Sequence, residues 1–381
     1  AAPKITPIVT NRDSQSEFLS EIQTSQVQPI EPVFVDYKKD MSQFEAQPGI
    51  DVLYKKNETN DIFTLIYVFN TGTENDPALN LAFNYLSYLG TDKMTAEEIA
   101  SEMYDIACSF YMNAGANQSS IQITGLSENM GKAMEIVEGL IAGAKPDEAI
   151  LENLKGDMLK SRADAKLNQS RCFGALQRYL FYGGDFIRRT TLTDPALQAL
   201  TSEQLLAKIG GLMGKQHEVL YYGPQKEAEV KSALAEHHKV AADLQPLEKK
   251  FSTLLPTDAN KVVLAQYDAK QLYYLQFSNR GEKFDVAADP EITLYNEYFG
   301  GGMNTIVFQE MREARGLAYT AWATLATPSN ANGDYSYYAF IATQNDKMQK
   351  AVEAFDDIIN NMPESEKAFG IAKEALVSRL R

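Results

Sequence analysis

Two stretches of this chain, 218 residues apart, carry the same pattern of apolar and charged residues. They run from Met130 to Ile141 and from Met348 to Ile359. Each leads to a proline, Pro146 or Pro363, from which a further helical pattern starts. Similarity at a fixed spacing indicates that one structural unit has been duplicated. This duplication constrains the fold more than any single motif does, because both parts of the chain must satisfy it.

The order of elements in the first copy predicts an α+β fold. Two strand-like segments are followed by two helical patterns, two further strands and two long helices. They lie at Ile50–Tyr54 and Ile62–Phe69, at 77–89 and 95–107, at 108–112 and 119–124, and from Glu128 and Pro146 onward. Grouped strands and helices are typical of an antiparallel-rich sheet covered by helices.

The second copy is predicted to be shorter than the first. The first copy continues past Arg162 to a strand-like segment at 218–222, whereas the matching Arg379 lies near the end of the chain. We therefore expect a fragment whose second copy lacks its tail. The predicted division is a linker segment over 1–32, a first αβ domain over 33–244, a linker over 245–260 and a second αβ domain over 261–381.

Composition and charge argue against several classes of partner. The chain has 381 residues, 44% of them hydrophobic, which is enough for two domains with separate cores. Its formal net charge of -15 argues against nucleic acid or an anionic membrane, since both require a basic surface. Cys108 and Cys172 lack the spacing of a thiolate metal site. The compartment stays open, with the bacterial periplasm or cytoplasm as the expectation.

The string from Tyr298 to Tyr319 combines a glycine triplet with an arginine and a tyrosine. The triplet predicts the end of one helix and a tight turn into another, from Met303 to Ala314. An extended segment is predicted from Leu317 to Leu325. Arg312 would lie in the last helical turn and Tyr319 early in the strand, so that two donors fixed by different elements converge on a carbonyl oxygen.

Only the second copy carries this arginine. Matching Glu102-Met103 to Glu310-Met311 places Tyr104 on Arg312 and Tyr111 on Tyr319. The two copies are therefore predicted to have diverged in role.

The histidines of the chain do not form a metal motif. A helical zinc site of a peptidase needs two imidazoles four residues apart and a glutamate between them. None of His217, His237 and His238 has this spacing. We expect them to be surface residues, and we expect this chain to bind no metal.

Together these features resemble the pitrilysin/insulinase family of zinc metallopeptidases, the inverzincins, and in particular their non-catalytic C-terminal half. The inverted His-x-x-Glu-His motif of that family lies on a helix, and the corresponding positions before Gly90 hold Asn84, Ser87 and Tyr88. A carboxamide is a feeble zinc ligand, a phenol is not ionised at neutral pH, and a serine cannot replace a carboxylate base. The resemblance implies two domains of the metallopeptidase LuxS/MPP-like fold.

The resemblance also implies that the active site is formed jointly by two halves of the protease. A catalytic half, in the same polypeptide or in a separate subunit, would hold the zinc, and this chain would bind no cofactor. Arg312 and Tyr319 would act as catalytic residues in trans by hydrogen-bonding the peptide substrate and the oxyanion of the tetrahedral intermediate. The halves would close around a chamber that encloses the peptide.

Alternatives remain open for the residues and for the whole chain. For the two residues, the alternative is that Arg312 pairs with Glu313 or Glu310 and that Tyr319 is half-buried in the core. For the whole chain, one alternative is a structural member of the same fold that has lost catalysis, although the retained Arg312 and Tyr319 argue against it. In a third alternative it is a module that captures peptides by adding a strand to a sheet edge.

Overall fold

The first copy forms a six-stranded sheet whose strands alternate buried and exposed residues. The computed structural model describes residues 16–26, 28, 31–247 and 252–380. The strands are β1 (Ser42–Gln47), β2 (Ile50–Lys56), β3 (Ile62–Phe69), β4 (Cys108–Ala114), β5 (Ser119–Leu126) and β6 (His217–Gly223), in the order β1-β2-β6-β3-β5-β4. Neighbouring strands are antiparallel except β2 and β6. In β3 the alternate residues Phe63, Leu65, Tyr67 and Phe69 are fully buried, as a period of two predicts.

Nine α-helices are described before residue 252, and several of them pack on one face of this sheet. They are α1 (Glu17–Thr24), α2 (Leu79–Leu86), α3 (Ala96–Asp105), α4 (Met130–Gly143), α5 (Glu148–Lys166), α6 (Gln169–Thr190), α7 (Asp194–Ala199), α8 (Ser202–Leu212) and α9 (Glu227–His237). Thr95 and Glu98 form a capping box before α3. On β5, Ile121 and Ile123 are buried beneath α4, whereas Gln122 is half exposed on the outer face. None of the described helices is both long and apolar enough to cross a membrane.

The second copy repeats the central part of the first sheet. Its strands are β7 (Gln271–Ser278), β8 (Thr320–Ala326) and β9 (Ser336–Gln344), in the order β7-β9-β8. The order corresponds to β3-β5-β4, and the pairs are antiparallel in both copies. No strand described in 252–380 corresponds to β1, β2 or β6. The predicted α+β fold is confirmed, and the described part of the second copy repeats three strands of the first sheet.

The helices of the second copy enclose a separate core. They are α10 (Asp289–Phe299), α11 (Ile306–Phe308), a π-helical turn over Gln309–Ala314, α12 (Met348–Asn360) and α13 (Glu366–Leu380). Val307, Met311 and Phe355 are fully buried in this core. The matched methionines of the two copies, Met130 and Met348, are the first residues of α4 and α12.

One predicted correspondence between the copies is wrong. Tyr111 of β4 pairs with Gln122 of β5. At the shift of 218 that matches the helices of the two copies, Gln122 corresponds to Phe340, which pairs with Trp322 of β8. Tyr111 therefore corresponds to Trp322 and not to Tyr319. The cause is a longer junction, because β8 begins six residues after the π-helical turn ends, whereas β4 begins three residues after α3 ends.

Helix α6 connects the two copies through aromatic contacts. It lies within the predicted first domain, yet the ring of Phe173 lies 5.4 Å from that of Tyr273 and 5.8 Å from that of Phe340, between centroids. Phe181 contacts Tyr338 in the same way at 5.2 Å. One face of the second sheet is thus covered by a helix of the first copy. Residues 1–15, 27, 29–30 and 248–251 of the predicted linkers lie outside the described residues.

Two of the three histidines are buried, which corrects the expectation that they lie on the surface. His217 is 4% exposed and His238 is 7% exposed, and their Nε2 atoms lie 2.9 Å apart. His238 Nδ1 lies 2.6 Å from a carboxylate oxygen of Glu138, which also accepts a hydrogen bond from the Tyr67 hydroxyl at 2.9 Å. Elements far apart in sequence form this network, so local patterning gave no sign of it.

The hydrogen-bond partners decide where the protons of this network lie. A carbonyl oxygen only accepts, so His217 donates from Nδ1 to Lys215, 2.7 Å away. When His217 is neutral, its Nε2 carries no proton and accepts a hydrogen bond from Nε2 of His238. The Glu138 carboxylate pairs with His238 and accepts from Tyr67, so each polar side chain of this network has a partner inside the core.

The buried His217 makes the stability of the chain sensitive to acid. Burial lowers the pKa of His217 from 6.5 to about 4. The folded chain keeps this imidazole neutral at pH values at which the unfolded chain has already taken up a proton. Lowering the pH from 6.5 toward 4 should therefore reduce the free energy of unfolding by roughly 3 kcal/mol through this group. Denaturant unfolding followed by circular dichroism across this range measures the effect.

Substitution separates this effect from the other titrations. His217→Gln should flatten the pH dependence, and His237→Gln, outside the network, should leave it as in the unmodified chain. Equal slopes for the unmodified chain and His217→Gln would contradict the assignment.

Candidate functional site

Gly300 allows helix α10 to end directly against strand β8. A Cβ atom at this position would lie 1.7 Å from the carbonyl oxygen of Ala323. The Ala323 amide donates to the Gly300 carbonyl at 3.0 Å, so the two backbones are in contact. A Cβ atom on Gly301 would meet no described atom within 4 Å. The steric requirement therefore falls on the first glycine of the triplet.

The predicted helix from Met303 to Ala314 begins later and is not α-helical throughout. It starts at Ile306 in α11 and continues as the π-helical turn. In that turn the amide of Arg315 donates to the carbonyl of Glu310, five residues earlier. A π turn shifts the facing of side chains relative to an α-helix and is frequent at functional sites.

Met311 reverses the direction of the chain after this turn. Its side chain is fully buried, and its carbonyl accepts hydrogen bonds from the amides of Leu317 and Ala318 at 2.9 and 3.3 Å. Gly316 has a φ of +57°, a left-handed conformation that glycine adopts without strain. The reversal brings Tyr319 back beside Arg312.

Arg312 lies between two aromatic rings. Its Cζ atom is 4.9 Å from the ring centroid of Phe308 and 4.7 Å from that of Tyr319. Its Nε lies 3.5 Å from a carboxylate oxygen of Glu313, which is half exposed. Cation–π contact with both rings restricts the guanidinium group, and no described residue forms a hydrogen bond with it. The two residues singled out from the sequence are thus in contact with each other.

Tyr319 is a surface residue and not part of the core. It is 70% exposed and lies one residue before β8, which begins later than the predicted strand start at Leu317. No residue that the structure describes forms a hydrogen bond with its hydroxyl group. The ring of Tyr319 therefore contacts Arg312, and its hydroxyl group is available to donate a hydrogen bond to a ligand.

Arg315 differs from Arg312 although it lies three residues away. It pairs with Glu310 at 3.4 Å and with Asp357 of α12 at 3.2 Å. The Asn361 carboxamide and the Arg315 guanidinium lower the pKa of Asp357. The ion pair with Glu310 that was an alternative for Arg312 is thus formed by Arg315, whereas the alternative pair of Arg312 with Glu313 is present.

A cleft of about 350 Å³ opens beside this pair. Its walls are the side chains of Arg312, Tyr319, Gln271 and Lys347 and the chain segments 316–318 and 342–344. Lys347 was not singled out from the sequence, although the repeat points to its position, one residue before the matched methionine of α12. No described residue lining the cleft carries a carboxylate.

The positions that correspond to the metal motif cannot hold zinc in the usual way. Asn84 lies on α2, and Ser87 and Tyr88 follow its end; all three are exposed. The Ser87 hydroxyl donates to the Asn84 carbonyl at 2.7 Å. No group of three or more His, Cys, Asp or Glu side chains suited to a metal ion occurs among the described residues. The chemistry of these side chains does not fit a zinc centre.

Comparison with known proteins identifies related chains. Residues 216–376 match the family model of the peptidase M16 inactive domain. The chain is 22% identical over 266 residues to an uncharacterized zinc protease of Streptomyces coelicolor, a match that covers 65% of this chain and 56% of that protein. The chain thus spans a little over half the length of this relative.

Solved structures share the fold at low sequence identity. A peptidase M16 inactive domain from Pseudomonas fluorescens superposes with a TM-score of 0.71 at 18% identity, covering 88% of this chain and 83% of that one. The periplasmic protease PqqL from Escherichia coli superposes with a TM-score of 0.74 at 14% identity, covering 98% of this chain but only 42% of that one.

The glycine triplet offers a matched pair of substitutions. Gly300→Ala should destabilise the second copy by at least about 2 kcal/mol, because its Cβ atom would overlap the backbone of β8. Gly301→Ala adds the same methyl group next to it in open space and should change stability by less than about 1 kcal/mol. Thermal unfolding of the two variants measures the difference. Equal melting temperatures would show that α10 does not need this close approach.

Proposed function

Because the chain belongs to the peptidase M16 family, whose inactive-domain model its residues 216–376 match, we propose that it supplies Arg312 and Tyr319 to the active site of a zinc-dependent metalloendopeptidase. The resemblance inferred from the motif residues is confirmed at the level of the family. In the proposal the chain is the non-catalytic half, and it encloses a peptide together with a catalytic half.

The observation that carries the proposal is the stacked pair beside the cleft. Arg312 is restrained by Phe308 and Tyr319, and the Tyr319 hydroxyl has no described partner. Restrained donors stabilise an oxyanion better than mobile ones, because they need no reorganisation when charge develops. A residue with a purely structural role would resemble Arg315, whose guanidinium is held by two carboxylates.

The zinc ion and its general base would come from the catalytic half. Asn84, Ser87 and Tyr88 offer neither two imidazoles nor a carboxylate. This chain would therefore bind, orient and polarise the peptide, and the partner would activate the water molecule that attacks it. The partner is either part of the same polypeptide or a separate subunit.

The outer face of the first sheet supports the enclosure of a peptide. The strand register aligns one side chain from each strand in a row across the sheet. The row consists of Gln43, Leu53, Leu220, Ile66, Gln122 and Tyr111. These side chains are uncharged, and Tyr111 is 63% exposed. This row can contact an extended peptide without selecting a charge, whereas the adjacent row of the same face carries the carboxylates of Glu45, Asp51 and Glu218.

Turnover with the catalytic half tests the proposal. Arg312→Ala and Tyr319→Phe should each lower kcat/KM by about 100- to 1000-fold, as the loss of one oxyanion donor does. Tyr319→Phe keeps the ring that supports Arg312, so its effect reports the hydroxyl group alone. Cleavage of a fluorogenic peptide by the reassembled protease gives the rates, and sedimentation gives the extent of assembly.

Arg315→Ala is the matched control. It removes a guanidinium group from the same turn but none that lines the cleft, and it should leave turnover within about threefold of the unmodified chain. If Arg312→Ala assembles normally and cleaves at the unmodified rate, the chain is a scaffold that has lost its catalytic part.

A further inference from the structure

We propose that the cleft beside Arg312 and Tyr319 binds a carboxylate group of the peptide substrate through Arg312 and Lys347. This inference rests on the proposed function and adds a substrate class to it, namely peptides that present a carboxylate next to the bond that is cut. The carboxylate comes from an acidic side chain or from the peptide C-terminus, which share the same chemistry.

Lys347 places a positive charge at the cleft without an internal counter-ion. Its Nζ donates to the carbonyl of Gly316 at 3.3 Å, which holds the side chain at the junction before Tyr319. No carboxylate among the described residues lies within ion-pair distance of this amine. The ammonium group therefore has hydrogen-bond donors left for a ligand.

The first copy performs the same structural task without a charge. Asn129 precedes Met130 as Lys347 precedes Met348, and the Asn129 side chain donates to the carbonyl of Ile106 at 2.8 Å. A short carboxamide is thus sufficient to hold this junction. The lysine in the second copy adds a charge that holding the junction does not require.

The arginine of the pair is likewise specific to the second copy. The buried methionines Met103 and Met311 correspond, so Tyr104 stands where the second copy has Arg312. Both cations thus replace uncharged residues and line one cleft. This local excess of positive charge occurs in a chain with a net charge of -15.

The chemistry of the two cations suits a carboxylate. A guanidinium group presents two parallel N–H donors to both oxygens, and a lysine adds a point charge. Glu313, 3.5 Å from Arg312, is the competing internal carboxylate, but it is 54% exposed and is not part of the cleft wall. A ligand can therefore take its place beside Arg312 without burying an unpaired charge.

Binding of four labelled peptides of equal length to the chain tests the proposal. The peptides carry an internal glutamate or glutamine, each with a free or an amidated C-terminus, and fluorescence anisotropy gives Kd. The amidated glutamine peptide is the uncharged reference. Tighter binding of the amidated glutamate peptide identifies a side chain as the source, and tighter binding of the free glutamine peptide identifies the terminus.

We expect at least one carboxylate peptide to bind about fivefold more tightly than the reference, and the ratio to fall as salt is added. Lys347→Gln should bring the ratio close to one. Lys350→Gln, one turn further along α12 and exposed outside the cleft, removes the same charge and should leave the ratio unchanged.

Equal Kd values for all four peptides, a preference that survives Lys347→Gln, or no binding of carboxylate peptides up to millimolar concentration would each overturn the inference. These outcomes differ from failure of the proposed function. That function fails if Arg312→Ala leaves turnover unchanged, whereas the inference fails on charge preference even when Arg312 is needed for cleavage.

Discussion

The backbone contact between Gly300 and Ala323 sets the position of everything that follows in the candidate site. The backbone of Gly300 at the end of α10 lies so close to the backbone of Ala323 in β8 that no side chain fits between them. The chain therefore changes direction after Gly300 before it returns to β8. Met311, buried below, accepts two backbone amides and closes that turn. Arg312 and Tyr319 face each other because both ends of the reversal are fixed to the same strand and core.

The duplication shows which features serve the fold and which serve another purpose. Both copies have a helix, a residue with positive φ, and a strand in this order: Ala107 has a φ of 51° and Gly316 a φ of 57°. Both also have a side chain that donates to a carbonyl at the junction, Asn129 or Lys347. The shared geometry is what the fold requires, and the cations of the second copy are additions to it.

Local patterns predicted those parts of the fold that local interactions decide. The bounds of β3 were predicted from its run of apolar residues, and α3 and α5 start within two residues of the predicted helix starts at 95 and 146. The predicted helix at 303–314 was too long, because α11 begins only at Ile306. Periodicity reveals neither the π-helical turn nor the backbone contact between Gly300 and β8.

Contacts between distant elements were beyond this kind of inference. The burial of His217 and His238 depends on Glu138 and Tyr67, which come from other elements of the first copy. Arg312 and Tyr319 were found because they share one short motif, whereas Lys347 enters the cleft from α12.

Helix α6 makes the two sheets unequal as surfaces for a peptide. On the second sheet, Tyr273, Tyr338 and Phe340 are covered by Phe173 and Phe181 of α6. At its start, the Gln169 side chain donates to the carbonyl of Gln271, a residue of the cleft wall, at 2.7 Å. The aromatic packing of α6 thus covers the face of the second sheet and joins the two copies, whereas the cleft opens at the ends of the three strands of that sheet.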